Sequence, residues 1–210
     1  MVKQCVHAPL ILASHSPRRR ELLGTAGFSF ETVSADVTEK LDVDLTLREL
    51  TLFNARRKAA AVARLHPEAV VLAADTLVAL EGEVIGKPRN LGHAAQILRH
   101  LSGRVHDVCS AVVISQLRPA HHGESVRWRT RSTSFHEISH VRFHRLSKDK
   151  IDNYLAKINP LDKAGAYAAQ GFGAEIIAEI HGSFTNVVGL PMEKTIRALR
   201  HFGIEPPKKI

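Results

Sequence analysis

Apolar residues follow two different spacings along this chain, and together they predict strands interleaved with helices. Short apolar runs bounded by turn residues predict strands at residues 10–13, 30–33, 69–80, 83–85, 105–117, 126–143 and 174–180. Apolar residues spaced three and four apart predict helices at residues 17–23, 46–65, 91–101, 147–158 and 192–202. The fold class that follows is α/β.

The middle of the chain departs from a simple strand–helix repeat. The two longest predicted strands, 105–117 and 126–143, follow one another around a polar tip at residues 118–125. Because a doubly wound parallel sheet does not contain such a hairpin, we expect a mixed, twisted sheet flanked by helices, with two lobes around a central cleft. The 210 residues are expected to form one domain, with a core at about 9–203 and a tail at 204–210.

Composition favours a cytoplasmic protein. Hydrophobic residues make up 44% and charged residues 24% of the chain, which allows a sizeable core. No apolar stretch approaches the roughly 20 residues that cross a bilayer, and the run 8–13 is too short for a signal peptide. Cys5 and Cys109 form neither a disulfide framework nor a metal motif, as expected in a reducing compartment. We therefore expect no membrane partner.

The net charge of +8 allows several kinds of polyanionic partner, among them nucleotides, nucleic acid and anionic lipid. The alternative is a basic surface that is merely solvated. Aromatic residues are only 5% of the chain, and we identify no basic stretch interleaved with stacking residues. This composition argues against nucleic acid and makes the placement of the arginines the deciding question.

Three arginines crowd the start of the first predicted helix, in the segment 14–20 with the sequence SHSPRRR. Ser16 is a helix cap and Pro17 suits the first helical position. Cations oppose the helix dipole at this end, whereas a phosphate would be bound by it. The segment therefore predicts an anion site, the alternative being that the arginines point to solvent or pair with carboxylates such as Glu21.

Asp75 interrupts the apolar run 70–78. A carboxylate in such surroundings needs hydrogen bonds, a cation or a metal, or it loses its charge. An Asx turn between two strands would also explain it. Beside an arginine-rich loop, a carboxylate that binds a metal or activates water is the better interpretation.

Other candidate motifs are weaker on their own. Lys87 could reach a phosphate, but Pro88 follows it where a phosphate-binding loop needs Ser or Thr. The small residues of 162–171 allow a close ligand approach, and Gln170 could read a base edge, although a tight structural loop explains them equally well. His136, His140 and His144 recur at every fourth position, but the residues around them predict a strand, in which they are too far apart for one metal ion.

Taken together, these motifs resemble the Maf family, the septum-formation-inhibitor-like nucleotide pyrophosphatases. The resemblance runs from Leu12 to Pro191, and its motifs occur in the family's order. They are residues 12–19 (LASHSPRR), 55–59 (ARRKA), 74–76 (ADT), 87–88 (KP), 101–103 (LSG), 162–171 (DKAGAYAAQG) and 182–191 (GSFTNVVGLP).

The resemblance implies a fold similar to the inosine-triphosphate pyrophosphatases and, usually, a homodimer. It implies hydrolysis of a nucleoside triphosphate to the monophosphate and pyrophosphate with a divalent cation, Mg²⁺ or Mn²⁺. The dTTP/UTP pyrophosphatase branch is the one that the specificity positions match.

The resemblance also implies roles for individual residues. Asp75 resembles the proton acceptor that activates water, and Glu39 and Asp75 resemble the carboxylates on the metal side. The implied phosphate ligands are Ser14, Arg18, Arg19, Lys58 and Lys87. The implied specificity residues are Arg19, Thr76 and Gln170.

The chain departs from the family pattern in two places, and one segment has no assigned role. Thr38 stands where the family usually has the first residue of an acidic pair, and Gly86 stands where the dTTP/UTP branch often has glutamate. The segment 118–131 is a local elaboration.

Two other functions remain open from the sequence. The main alternative is a nucleic-acid-binding or cell-division regulatory protein that uses its basic surface without catalysis. A second is a related enzyme that prefers purine or modified nucleotides, which would share the site chemistry and differ around Thr76 and Gln170.

Overall fold

Seven strands form one mixed sheet in the computed structural model, which describes residues 8–41, 44–122 and 125–206. The strands are β1 (Leu10–Leu12), β2 (Glu31–Thr32), β3 (Val70–Leu80), β4 (Glu83–Ile85), β5 (Val105–His122), β6 (Ser125–Phe143) and β7 (Ile177–His181). The helices are α1 (Pro17–Thr25), α2 (Leu47–Leu65), α3 (Leu91–Leu101), α4 (Lys148–Leu155), α5 (Phe184–Val188) and α6 (Met192–His201). The strand order is β2-β1-β3-β5-β6-β7, with β4 paired to β3.

The edge of β3 that faces β1 and β4 is only partly paired. β1 runs parallel to β3 and its ladder ends where Leu12 meets Leu72. β4 runs antiparallel to β3 and its ladder begins where Ile85 meets Val78. On its other edge, β3 pairs with β5 without interruption. The described strands therefore leave a gap along one edge of β3, between Leu72 and Val78.

Helices cover both faces of the sheet and divide the core into three clusters. On one face, α2 packs against alternate residues of β1 and β3. On the other face, α1 and α6 pack against the first half of β3, whereas α3 and α4 pack against its second half. One lobe contains α1 and α6 and the other contains α3 and α4. Because the continuous strand β3 carries the core clusters of both, the two lobes share a sheet and meet beside the gap in β3.

Local capping signals begin the helices as the sequence predicts. Ser16 accepts a hydrogen bond from the backbone of Arg19, with Pro17 as the first helical residue. Thr46 and Glu49 form a reciprocal capping box at the start of α2. No helix in the described ranges is long and apolar enough to cross a membrane.

The predicted mixed sheet flanked by helices is confirmed, but several element bounds were wrong. The expected tip at 118–125 is mostly paired strand, because β5 and β6 remain in register out to His122 and Ser125. A backbone ladder needs no apolar side chains, so polarity alone misplaced the turn. Residues 123–124 lie outside the described ranges, as do Cys5 and the end of the predicted tail, 207–210.

Smaller differences concern the C-terminal third of the chain. α4 ends at Leu155, three residues before its predicted end, and the last strand starts at Ile177 because a 3₁₀ turn takes up Gly171–Glu175. α5 was not predicted. Ile204, assigned to the tail, is buried with the α6 side of the core.

His106 is a buried titratable group within the lobe of α3 and α4. It is 1% exposed, packs edge-on against Phe143 and Tyr167, and shares a 2.9 Å hydrogen bond with the Tyr167 hydroxyl. Burial lowers the pKa of His106 to about 4. The folded protein therefore keeps this imidazole neutral at pH values where the unfolded chain protonates it.

We expect the folded state to lose stability as the pH falls from about 6.5 towards 4, because only the unfolded chain binds the extra proton there. Between pH 7.0 and pH 4.5, protonation of His106 in the unfolded chain should lower the free energy of unfolding by about 2 to 3 kcal/mol. Urea unfolding of the wild type and of His106→Gln at pH 7.0 and 4.5 measures it. The variant should lose less stability than the wild type over this interval. An equal loss in both proteins would contradict the assignment to His106.

Candidate active site

A cleft of about 470 Å³ opens beside the gap in β3. Its lining includes the turn from β1 into α1, the middle of β3, and parts of the segments 35–39 and 162–169. Since β1 has ended and β4 has not begun, side chains from both faces of β3 reach this space. The cleft contains the following predicted site residues: Ser14, Arg18, Arg19, Glu39, Lys58, Asp75, Thr76 and Lys87.

Two carboxylates in the cleft share the ammonium group of Lys58. Lys58 Nζ lies 2.6 Å from Asp75 Oδ1 and 2.8 Å from Glu39 Oε1. Lys87 Nζ lies 2.8 Å from the other oxygen of Glu39. Alternating charges thus run from the interior, where Asp75 is 2% exposed, to the half-exposed Lys87. This pairing answers the question of how a carboxylate can remain in so apolar a strand.

Asn54 of α2 fixes the inner end of this chain of charges. Its side-chain amide donates to Asp75 Oδ2 at 3.3 Å. The same side chain also accepts from the backbone N–H of Lys40 and donates to its carbonyl, at 3.0 and 2.9 Å. α2 therefore holds both the buried carboxylate and the extended segment that carries Glu39.

Glu39 is strongly acidic in this setting. Burial by itself would raise its pKa, but the ion pairs with Lys58 and Lys87 outweigh that effect and lower the pKa to about 2. The carboxylate is therefore ionised throughout the physiological pH range, so it can bind a cation without first losing a proton.

The three arginines of α1 have three different surroundings. Arg18 pairs with Asp162 at 3.2 Å, and Arg20 is exposed to solvent. Arg19 turns inwards and donates to Gly189 O at 2.8 Å, to Ser14 Oγ at 3.0 Å and to Thr76 Oγ1 at 3.0 Å. The carboxylate-pairing alternative thus describes Arg18, although its partner is Asp162 and not Glu21.

A line of hydrogen bonds runs from Arg19 through the hydroxyl groups of Thr76 and Ser110 into the core of the protein; we call it the hydroxyl line. Thr76 Oγ1 lies 2.8 Å from Ser110 Oγ, which donates to the backbone carbonyl of Asn186 at 2.8 Å. Ser110 and Asn186 are fully buried. Neither residue was predicted as a site residue, although Asn186 lies in the motif 182–191 and Ser110 interrupts the apolar run of β5 just as Asp75 interrupts that of β3.

Gln170 is the one predicted site residue that lies outside the cleft lining. Its side-chain amide is 3.2 Å from a carboxylate oxygen of Glu21 on α1, and the residue is partly exposed. Its neighbours Ala168 and Ala169 do line the cleft. The structure therefore places Gln170 near the rim.

Glu39 and Asp75 could together hold a metal ion in the cleft, because both lie beside Lys58. A third carboxylate of the cleft lining, Asp162, pairs with Arg18. The described residues contain no cluster of three or more His, Cys, Asp or Glu side chains that could hold a metal by themselves. Mg²⁺ is usually bound through one or two carboxylates together with substrate phosphates and water. The two carboxylates suit that mode of binding, and they do not form a complete protein cage.

Comparisons with known proteins show the family of this chain. The family model described as "Maf-like protein" matches residues 9–202. A protein of Bacillus pumilus is 41% identical over 197 residues, which cover 94% of this chain and 98% of that protein. A protein of Methylococcus capsulatus is 43% identical over 196 residues, which cover 93% of this chain and 91% of that one. Both relatives are named dTTP/UTP pyrophosphatase.

Proposed function

Because this chain belongs to the Maf family, we propose that it is a nucleoside triphosphate pyrophosphatase that hydrolyses dTTP and UTP to the monophosphate and pyrophosphate. The observation that carries the proposal is the buried Asp75, held with Glu39 around Lys58 at the gap in β3 and facing the arginines of α1 in one cleft. That arrangement combines a base with cations for a polyphosphate.

The cations suit the charge that develops during hydrolysis. Cleavage between the α and β phosphates leaves negative charge on the departing pyrophosphate. Arg18, Lys58 and Lys87 line the cleft and can neutralise that charge, and the N-terminus of α1 adds its dipole. Ser14 offers its hydroxyl to the same phosphates.

In the proposed reaction, Asp75 orients and deprotonates the attacking water. A triphosphate in the cleft competes with the carboxylates for Lys58 and Lys87, because these ammonium groups are the phosphate ligands as well as the carboxylate partners. Substrate binding therefore frees the oxygen of Asp75 that Lys58 holds. Asn54 keeps the other oxygen in place, so the carboxylate stays oriented while its charge becomes available.

Glu39 and Asp75 would hold the divalent cation, Mg²⁺ or Mn²⁺, that the family resemblance implies. When bound, such a cation supplies a charge that neutralises phosphate oxygens and assists the nucleophile. The low pKa of Glu39 suits this role because the carboxylate needs no deprotonation to accept the metal. A homodimer, which the resemblance implies, and a cytoplasmic location, which the composition favours, complete the proposal.

The regulatory alternative predicts a different behaviour for the purified protein. An enzyme should release pyrophosphate from dTTP and UTP in the presence of Mg²⁺, and more slowly from GTP. A nucleic-acid-binding regulator should bind nucleic acid with a steep salt dependence and release no pyrophosphate, so pyrophosphate release decides between the two. Faster release from GTP or modified nucleotides would favour the related purine or modified-nucleotide enzyme.

Replacing Asp75 by Asn should lower kcat by about 10² to 10⁴-fold, the usual contribution of a positioned general base. Folding stability should change little, because Asn keeps the shape and Lys58 keeps Glu39 as its ion-pair partner. Steady-state pyrophosphate release and urea unfolding measure the two effects. Asp107→Asn is the control, since Asp107 lies outside the cleft lining and pairs with His140. Near-normal turnover by Asp75→Asn would overturn the assignment of Asp75 as base.

A further inference from the structure

The hydroxyl line behind Arg19 has a fixed hydrogen-bond direction. Ser110 has one proton, and it donates that proton to the Asn186 carbonyl, which can only accept. Ser110 Oγ must therefore accept the proton of Thr76, 2.8 Å away. The other acceptor near Thr76 is Gly189 O at 3.5 Å, which is too long to compete.

This direction decides what Thr76 can offer to a ligand. Its single proton points away from the cleft, towards Ser110. On the cleft side it accepts from Arg19 at 3.0 Å and keeps the remaining acceptor capacity of its oxygen. Arg19 has five N–H groups, of which three take part in the bonds to Gly189, Ser14 and Thr76, which leaves two as donors. The cleft thus presents an acceptor beside donors.

We propose that Ser110 is a positioning residue for base selection, which locks Thr76 as a hydrogen-bond acceptor and so favours uracil and thymine over cytosine. Uracil and thymine carry a hydrogen on N3 between two carbonyl groups, which matches an acceptor beside donors. With Thr76 opposite N3 and Arg19 opposite the substituent on C4, cytosine mismatches both, because it has a bare acceptor at N3 and an amino group on C4. The proposal rests on the proposed function, since it assigns the base to this end of the cleft.

Ser110 acts only through Thr76, because it is fully buried and cannot touch the nucleotide. Removing its hydroxyl frees the Thr76 proton to turn towards the cleft. The Asn186 carbonyl keeps a second partner in the Gly189 N–H at 3.0 Å, so the loss of Ser110 leaves it satisfied.

Ser110→Ala should lower the preference for UTP over CTP, taken as the ratio of kcat/KM values, by about tenfold or more, because a misdirected polar group costs about this much in discrimination. The kcat for UTP should stay within about threefold. Ser139→Ala is the matched control: Ser139 is equally buried and bonds to Asn186, but it does not contact Thr76. It should keep the wild-type preference.

Thr76→Val and the double variant separate positioning from general structural damage. If Ser110 works through Thr76, adding Ser110→Ala to Thr76→Val should change the preference no further. An unchanged preference in Ser110→Ala, or a further drop in the double variant, would overturn the proposal.

Calorimetric binding of UMP and CMP keeps the result independent of catalysis. A wild type that hydrolyses no triphosphate would contradict the proposed function. A preference for UMP that is lost in Ser110→Ala would still support the positioning role of Ser110. A wild type that binds UMP no more tightly than CMP would overturn the positioning role of Ser110.

The outer part of the β5–β6 hairpin carries a separate feature, a row of arginines on one face. Strand alternation puts Arg127, Arg129 and Arg131 on the same face of β6, and the register places Arg118 of β5 directly opposite Arg129. Like charges at facing positions destabilise a hairpin. The described residues from 116 to 131 include no carboxylate, and Glu124 is the only acid of this segment in the sequence.

The row has no anionic partner within the described part of the protein. All four arginines are exposed. Arg131 lies over the Phe202 ring and donates to the His201 carbonyl, while Arg118 donates to Gln116. These interactions orient the side chains without neutralising them.

From this row we infer that the outer hairpin binds the phosphate backbone of duplex nucleic acid. Alternate residues of a strand are about 6.6 to 6.8 Å apart, which gives a linear array for a linear polyanion, and arginine suits phosphate oxygens. A two-stranded ribbon fits the major groove. A membrane-binding surface would present its basic and aromatic side chains to the same interface. Here the half-exposed Trp128 lies on the opposite face of the hairpin from the arginines, which argues against a membrane.

Fluorescence anisotropy with a labelled 20-base-pair duplex of mixed sequence tests the row. For the triple variant Arg118→Ser, Arg127→Ser and Arg129→Ser, the slope of log affinity against log salt should become shallower by about 2 to 3, since each phosphate that an arginine neutralises adds about 0.9 to the slope. The control removes three exposed arginines elsewhere: Arg56→Ser, Arg64→Ser and Arg99→Ser.

The control has the same net charge and should keep more affinity than the hairpin variant. If both variants lost the same affinity for the duplex, net charge alone would explain the loss, and the inference would be overturned. Absence of duplex binding by the wild type at low salt would also overturn it, as would arginine-dependent binding to anionic phospholipid vesicles without duplex binding. Pyrophosphate release should be the same in all three proteins.

Discussion

The ammonium group of Lys58, shared by Asp75 and Glu39, is the interaction on which this site depends. Without it, the strand that builds the centre of the sheet would contain an uncompensated buried charge at Asp75. The same ammonium draws Glu39 inwards from an extended segment and, with Lys87, keeps its carboxylate ionised. Phosphates compete for these cations, so one set of charges stabilises the free cleft and receives the substrate in the proposed reaction.

The sheet supplies the opening in which these charges meet. Between the end of β1 and the start of β4, one edge of β3 has no strand partner among the described residues. On its other edge, β3 pairs with β5 without interruption through the opening. Asp75 and Thr76, as neighbours on a strand, face opposite sides of the sheet, yet both reach the cleft. In the proposed reaction, these adjacent residues therefore serve the phosphate end and the base end separately.

Local sequence signals predicted the parts of this structure that local physics decides. The Ser16 cap, the apolar stripe of α2 and the interruption of an apolar run by Asp75 can each be read within a few residues. The structure confirms the α/β sheet and gathers all but one of the predicted site residues, Gln170, in the cleft. Their roles in catalysis, metal binding and specificity remain predictions.

The missed features depend on partners far away in sequence. Ser110 bonds to the carbonyl of Asn186, 76 positions later, and Asn54 reaches Asp75 across 21 positions. Nothing in the surrounding residues specifies those distances. The predicted bounds of the hairpin tip were wrong for a related reason. Polar side chains predicted a turn there, whereas the strands extend because each pairs through its backbone with the opposite strand.

The most direct test of the central claim is to identify the phosphorus atom that the water attacks. Hydrolysis of UTP in oxygen-18 water, followed by mass spectrometry of both products, locates the new oxygen. If Asp75 directs water to the α phosphate, one heavy oxygen should enter each UMP and none should enter pyrophosphate. Heavy oxygen in pyrophosphate, or release of orthophosphate in its place, would contradict the account.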